Sequence, residues 1–239
     1  MRANSQIKGI FFDAGDTLFQ AKAPIGFYYS QIAAKYGVTI DPKYLDQRFK
    51  AAFQNAPPLA FPSVEDDKLP CLEFEWWRRL VRSVFEDIDF PQFDPFFEAV
   101  YAFFESPAAW RLFPETKTVL ASLQKAGFTL GVISNFDSRL IAVCEHLGIQ
   151  DYFACIVFSS RENSAKPDPG IFKHALRKTG LTPAESLHIG DSLENDVEGA
   201  HRAGMRPLLL DRLGVYPKTD NSIAIRDLHG ISSFLQSKK

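Results

Sequence analysis

The chain has 239 residues, room for one large domain or two small ones, and 46% of them are hydrophobic, enough for a substantial core. Its 27 basic and 29 acidic residues leave a net charge of −2 with no basic run, which argues against a general nucleic-acid binder and against a membrane-surface protein. Three cysteines without a C-x-x-C pair suggest neither a disulfide framework nor a zinc site, and read as free thiols in a reducing cytoplasm. No apolar stretch of signal-peptide length stands at the N-terminus, and no run approaches the roughly 20 apolar residues of a membrane span. The expectation is a soluble cytoplasmic protein.

The first apolar run, Ile10-Phe11-Phe12, meets Asp13 and stops at a Gly15-Asp16 turn, as a buried strand of a parallel sheet would. A carboxylate just beyond such a strand stands where open α/β sheets bind their ligands; it reads equally as a turn-forming acid. Residues 20–110 carry helical patterns instead. Ile25, Tyr28, Tyr29, Ile32 and Tyr36 follow Pro24 at helical spacing and end at Gly37. Asp41-Pro42 caps a second helix with Leu45, Phe49 and Phe53 on one face. A proline-rich loop over 56–62 follows, then helices over 72–85 and 93–104. Their aromatic residues read mainly as the core of a small bundle, with Phe61, Trp76, Trp77 and Trp110 as alternative lining of a cleft.

From Phe113 onward helices and strands alternate. Helices are expected over 116–125, 138–147, 169–179, 195–203 and 227–236, and strands over 129–133, 155–158, 186–189 and 207–210. This order predicts an α/β fold with a doubly wound parallel sheet, covered on both faces. The carboxyl ends of its strands would then share one edge, bringing together Asp13, Ser134 with Asn135, Lys166 one loop on, and Asp191. Several carboxylates at one edge are costly unless a cation neutralises them, and oxygen-only ligands suit Mg²⁺. Such a cation, a lysine and hydroxyl and amide donors are what a phosphoryl group needs as charge moves in its transition state, and an Asp among them can act as nucleophile.

Four stretches carry a resemblance: Phe12-Asp13-Ala14-Gly15-Asp16-Thr17-Leu18, Val132-Ile133-Ser134-Asn135, Lys166-Pro167-Asp168-Pro169-Gly170-Ile171-Phe172, and Gly190-Asp191-Ser192-Leu193-Glu194-Asn195-Asp196-Val197. In this order, each at the end of an expected strand or in the loop beyond it, they resemble the haloacid dehalogenase-like hydrolase superfamily. The resemblance implies a Rossmann-like catalytic core over 1–19 and 111–239 with a smaller α-helical cap over 20–110. It implies Asp13 as nucleophile and Mg²⁺ ligand, with the Gly15 carbonyl and Asp191 as further ligands and Asp196 supporting the metal indirectly. Ser134 and the backbone around Asn135 would hold phosphoryl oxygens of a small phosphorylated substrate, and Lys166 would neutralise charge between nucleophile and phosphoryl group. Simpler readings stand beside these. Ser134 could cap a turn, Lys166 could be a solvated loop lysine, and Asp196 could be a favourable acid in the first turn of a helix. His188 lies inside a strand and reads as a core histidine. The oligomeric state is left open.

The chain departs from the family's phosphatase pattern at one position. That pattern has a second aspartate two residues after the nucleophile, serving as general acid and base, and here the position is Gly15. Asp16 is acidic but stands one step along the turn, where adjacent side chains point in different directions, and positioned acid–base catalysis is typically worth roughly 10²- to 10⁴-fold. Three outcomes follow: a phosphatase that tolerates the loss, by good leaving groups or by an acid from Asp16 or the cap; dehalogenation or phosphonate cleavage, the latter with Lys22, Lys35 or Lys43 as a cap lysine; or a phospholigand-binding module with little catalysis. The first ranks highest: the Gly190-Asp191-Ser192-x-x-Asn195-Asp196 stretch resembles the phosphatases of the family, which puts dehalogenation lower, and a pure scaffold has no physical need for an acidic cluster.

Overall fold

The computed structural model describes residues 6–61, 64–216 and 224–236; residues 1–5 and Pro62 of the expected loop lie outside these. The sheet is built on β1 (Gly9–Phe12), fully buried and paired in parallel with β4 (Thr129–Ser134) on one side and β6 (Ser186–Gly190) on the other. β5 (Cys155–Phe158), β7 (Arg206–Leu210) and β8 (Ala224–Ile225) complete the order β5-β4-β1-β6-β7-β8, all parallel.

Both faces of the sheet are covered, which explains the continuous apolar run in β1. Ile10 and Phe12 point to one face, where they share a cluster with α5 (Thr116–Lys125), α6 (Arg139–His146) and α10 (Gly230–Gln236). Phe11 points to the other, against α8 (Pro169–Thr179) and α9 (Gly199–Arg202). Alternation along a strand sends successive side chains to opposite faces, so a strand buried on both must be apolar throughout.

The chain leaves and re-enters this layer through a second, two-stranded sheet. β2 (Phe19–Ala21) and β3 (Trp110–Leu112) pair antiparallel, Phe19 with Leu112 and Ala21 with Trp110. Between them lie α1 (Ile25–Lys35), α2 (Pro42–Asn55), α3 (Leu69–Val84) and α4 (Phe93–Glu105), packed around their own cluster of Tyr29, Leu45, Val84, Phe85, Phe93 and Phe96. α1 and α2 approach so closely at Gly26 that a Cβ there would lie 2.2 Å from the Asp46 backbone nitrogen.

Several elements differ from expectation. α3 begins at Leu69, three residues early, because Pro70 fits a first helical turn that needs no N–H donor. The single helix expected over 195–203 is a π-helical turn, Leu193–Glu198, running into α9. The last helix starts at Gly230 rather than 227, and the polar loop after β5 contains a one-turn helix, α7 (Ser159–Glu162). The three cysteines are free, and among the described residues no helix is long and apolar enough to cross a membrane.

The helical segment is tied to the sheet layer by buried polar contacts. Glu73 of α3 is buried; it accepts from the Ser138 amide at 3.0 Å, from the Ser160 hydroxyl at 2.5 Å and from the Ser138 hydroxyl. Burial pushes its carboxyl up, against the pull of these hydrogen bonds. One turn on, Trp77 Nε1 donates to Asp137 Oδ2 at 2.5 Å, and Asp137 in turn grips the Arg139 guanidinium by two contacts, at 3.0 and 2.6 Å, and accepts from the Arg139 amide at 3.0 Å. The Arg139 guanidinium lies 3.9 Å from the centre of the Tyr101 ring on α4.

Candidate active site

The sheet geometry delivers the four anticipated stretches to one edge. The Asp13 amide continues the β1 ladder by donating to the Ile189 carbonyl at 2.8 Å, so Asp13 is fixed directly above the strand end. Ser134 closes β4, and its hydroxyl donates to Asp13 Oδ1 at 3.0 Å. Lys166 reaches in from the loop before α8. Its Nζ lies 2.5 Å from Asp13 Oδ1 and 2.6 Å from Asp196 Oδ1, with the lysine only 5% exposed. Asn135 fixes that loop from both sides, accepting from the Lys166 amide at 2.7 Å and donating to the Lys166 carbonyl at 2.9 Å. Its side chain is thus committed to positioning Lys166.

Asp196 sits on the π-helical turn against the end of β6. A Cβ on Gly190 would lie 2.1 Å from Asp196 Cγ, so only glycine lets this carboxylate lie there. Oδ2 accepts from the Ser192 amide at 3.1 Å, and Oδ1 faces both Lys166 and His188 Nε2, the latter at 2.9 Å. His188 is a core histidine as expected, but it also orients Asp196, a link hidden by its place inside a strand. Its Nδ1 is buried without a hydrogen-bond partner among the described residues, and burial pushes the ring's pKa down.

The electrostatics follow from three acids around one lysine. Asp13, Asp191 and Asp196 each bring a carboxylate oxygen within 4.8 Å of the others. Burial raises the Asp196 carboxyl, but Lys166 and His188 outweigh it and hold the group well below the ordinary range. Burial likewise opposes the Lys166 charge and is outweighed by Asp13 and Asp196, which keep the ammonium protonated. Asp13 is pushed up by burial, with Lys166 pulling the other way. Asp191 is pushed up to about 7, by burial first and then by Asp13 and Asp196. This surplus of negative charge and the purely oxygen donor set fit a hard divalent cation. Replacing Lys166 with Met will leave Asp13 and Asp196 buried without their counter-charge and cost roughly 3–5 kcal/mol, read as a lower urea midpoint. An unchanged midpoint would mean that the lysine is not the counter-ion of these acids.

Gly15 and Asp16 form the turn after Asp13. Asp16 takes a left-handed backbone, φ 55°. Arg212 pins this turn, donating to the Asp16 carbonyl at 3.3 Å and the Thr17 carbonyl at 2.8 Å while pairing with Glu115 at 2.7 Å. No pattern around Arg212 announces this role, since it bridges segments some 100 and 200 residues apart. A Cβ on Gly15 would meet nothing within 4 Å.

Above these groups a cavity of about 830 Å³ opens between the sheet edge and the helical segment. Trp76, Trp77 and Trp110 line it, whereas Phe61 packs against the sheet-side core instead. Of the three lysines considered for Schiff-base chemistry, Lys22 lines the cavity, with its Nζ donating to the Pro107 carbonyl at 2.9 Å; Lys35 and Lys43 are exposed and do not line it.

Comparison with known proteins places the chain in a family. A haloacid dehalogenase-like hydrolase family model matches residues 7–204. A "Haloacid dehalogenase-like hydrolase domain-containing protein 3" from Bos taurus is 32% identical over 208 residues, covering 86% of this chain and 82% of the relative. Among solved structures, a 2-haloacid dehalogenase from Pseudomonas syringae pv. Tomato DC3000 is 25% identical, with a TM-score of 0.68 over 98% of this chain and all of that one. A HAD phosphatase from Thermococcus onnurineus, 22% identical, shares the fold with a TM-score of 0.67 over 96% of this chain and 98% of its own. The chain belongs to the haloacid dehalogenase-like hydrolases.

Proposed function

We propose that this hydrolase is a Mg²⁺-dependent phosphatase acting on a small phosphorylated molecule through an aspartyl-phosphate at Asp13. The observation that carries the reading is the Asp13 carboxylate, gripped on Oδ1 by both Lys166 and Ser134 and facing Asp191 across the cavity floor. Asp13, Asp191 and the Gly15 carbonyl would hold the cation, with Asp196 behind them orienting Lys166. When bound, Mg²⁺ would offset charge on the phosphoryl oxygens.

The chain's own groups do the rest. A carboxylate oxygen of Asp13 attacks phosphorus; the bond from phosphorus to the leaving oxygen breaks, and its electron pair departs with that oxygen. Lys166 and the Ser134 hydroxyl stabilise the phosphoryl oxygens, already in place and already desolvated. Water then attacks the acyl phosphate, releasing inorganic phosphate and restoring the Asp13 carboxylate. Residues 20–110 would serve as the cap, closing over the substrate and excluding bulk water, with residues 1–19 and 111–239 as the core.

The test is phosphate release from a panel of phosphate monoesters with Mg²⁺, and with the metal removed by chelator. Release that disappears on chelation is the expected result; none from any ester sinks the proposal. A second reading, dehalogenation, draws on Gly15 in place of the acid and on the 2-haloacid dehalogenase among the structural relatives. Halide release from a 2-haloacid without phosphate release from any ester would reverse the order of the two.

A further inference from the structure

The cavity above Asp13 has two unlike ends. Its floor holds the acids, Lys166 and Ser134. Its far end, supplied by the helical segment, is largely aromatic: Phe53, Trp76, Trp77, Tyr101 and Phe104 line it, joined by Trp110 from β3. Charged groups line the cavity as well: Lys22, whose Nζ donates to the Pro107 carbonyl, and Arg111 stand on the β2–β3 side, while others are matched within the protein. Asp46 pairs with Lys50 at 2.9 Å, and Arg139 is held by Asp137 and by the Tyr101 carbonyl at 3.1 Å. A polyhydroxylated leaving group seated there would give up water for rings that return few hydrogen bonds, whereas a flat apolar one would stack. A volume of about 830 Å³ exceeds the needs of a phosphoryl group and a two- or three-carbon alcohol.

An independent feature points the same way. Gly15 leaves no acid at the position from which the departing oxygen would be protonated, and open space remains where a side chain would stand. An alkoxide is expelled poorly without a proton, but a phenol, with a pKa of about 10, leaves as a stable oxyanion.

We propose that the substrates are bulky aryl phosphate monoesters, the aryl group stacked in the aromatic end of the cavity and leaving unassisted as aryloxide. This deepens the phosphatase reading above and rests on it. Asp13 takes the phosphoryl group, the electron pair of the broken P–O bond goes to the aryloxide, and the aryloxide picks up its proton from water after departure.

The test is kcat/KM for the intact chain with Mg²⁺ on 2-naphthyl phosphate, phenyl phosphate and glycerol phosphate. Phenol and 2-naphthol leave with nearly equal ease, so their ratio reports the chamber alone. At least about a tenfold preference for naphthyl over phenyl is expected, since a hydrophobic pocket already discriminates a single methylene by that much. Phenyl should in turn exceed glycerol phosphate, and among substituted phenyl phosphates the rate should rise steeply as the phenol becomes more acidic. Phosphate release with glycerol phosphate as good as the aryl esters would overturn the inference and leave the phosphatase reading standing. So would rates indifferent to phenol acidity, because another acid, Asp16 first among them, would then be protonating the leaving group. No release from any ester would remove both.

Discussion

The Asp13→Asn protein will fold and will release phosphate at least roughly 10³-fold more slowly than the parent, below detection in an ordinary assay. An amide oxygen is a poor nucleophile, and no other described side chain stands where Asp13 meets both Lys166 and Ser134. The substitution preserves size, and an amide oxygen still accepts from both donors. Lys166 keeps Asp196 as its ion partner at 2.6 Å, so the lysine is not stranded. Removing one of three crowded acids also relieves Asp191, whose carboxyl is pushed up in part by Asp13. The urea midpoint should therefore hold or rise while turnover disappears. Turnover within tenfold of the parent would take Asp13 out of the chemistry.

Gly15→Asp will have the opposite sign. The Gly15 backbone lies outside the left-handed region and a Cβ there meets nothing within 4 Å, so a side chain enters without strain. It puts an acid two residues after Asp13, the proposed nucleophile. On alkyl phosphates the gain in kcat should approach the roughly 10²- to 10⁴-fold that positioned acid–base catalysis supplies. On aryl phosphates, whose leaving groups need little help, it should be far smaller. Gly15→Ala separates occupancy of the space from acidity and should gain nothing. An equal effect of Gly15→Asp on both substrate classes would mean that the new carboxyl does not reach the leaving oxygen.

What can be read from the chain and what cannot divides along the range of the interactions. Asp13, Ser134 and Asp191 are legible because each ends a strand, and parallel strands put their carboxyl ends at one edge whatever the helices do. Lys166 is legible from its place one loop beyond such an end. The four helices between β2 and β3 announce themselves by apolar spacing and by Pro24, Asp41 and Gly37 at their ends. By contrast, β2 and β3 are three residues each, too short for any period, and their partners lie some 90 residues apart. Arg212 pins the Gly15-Asp16 turn from a loop almost 200 residues distant. Glu73 resembles any other helix acid until Ser138 and Ser160 are folded against it. The π-helical turn at Leu193–Glu198 has no signature distinguishing it from α-helix, although it sets Asp196 at Lys166.

The pairing of β2 with β3 has a consequence for how such a protein can change. The roughly ninety residues between Ala21 and Trp110 depart and return through neighbouring backbones, hydrogen-bonded to each other rather than to the main sheet. A chain that merely turned at Ala21 and came back at Trp110 would close the same ribbon and leave all six parallel strands joined as they are. The intervening helices can therefore be lengthened, shortened or exchanged while Asp13, Lys166, Asp191 and Asp196 keep their places, provided Ser138, Ser160 and Asp137 still find partners for their buried groups. On the proposed reading, the far end of the cavity would then vary on one stretch of the gene, and the reacting groups, Gly15 included, on others.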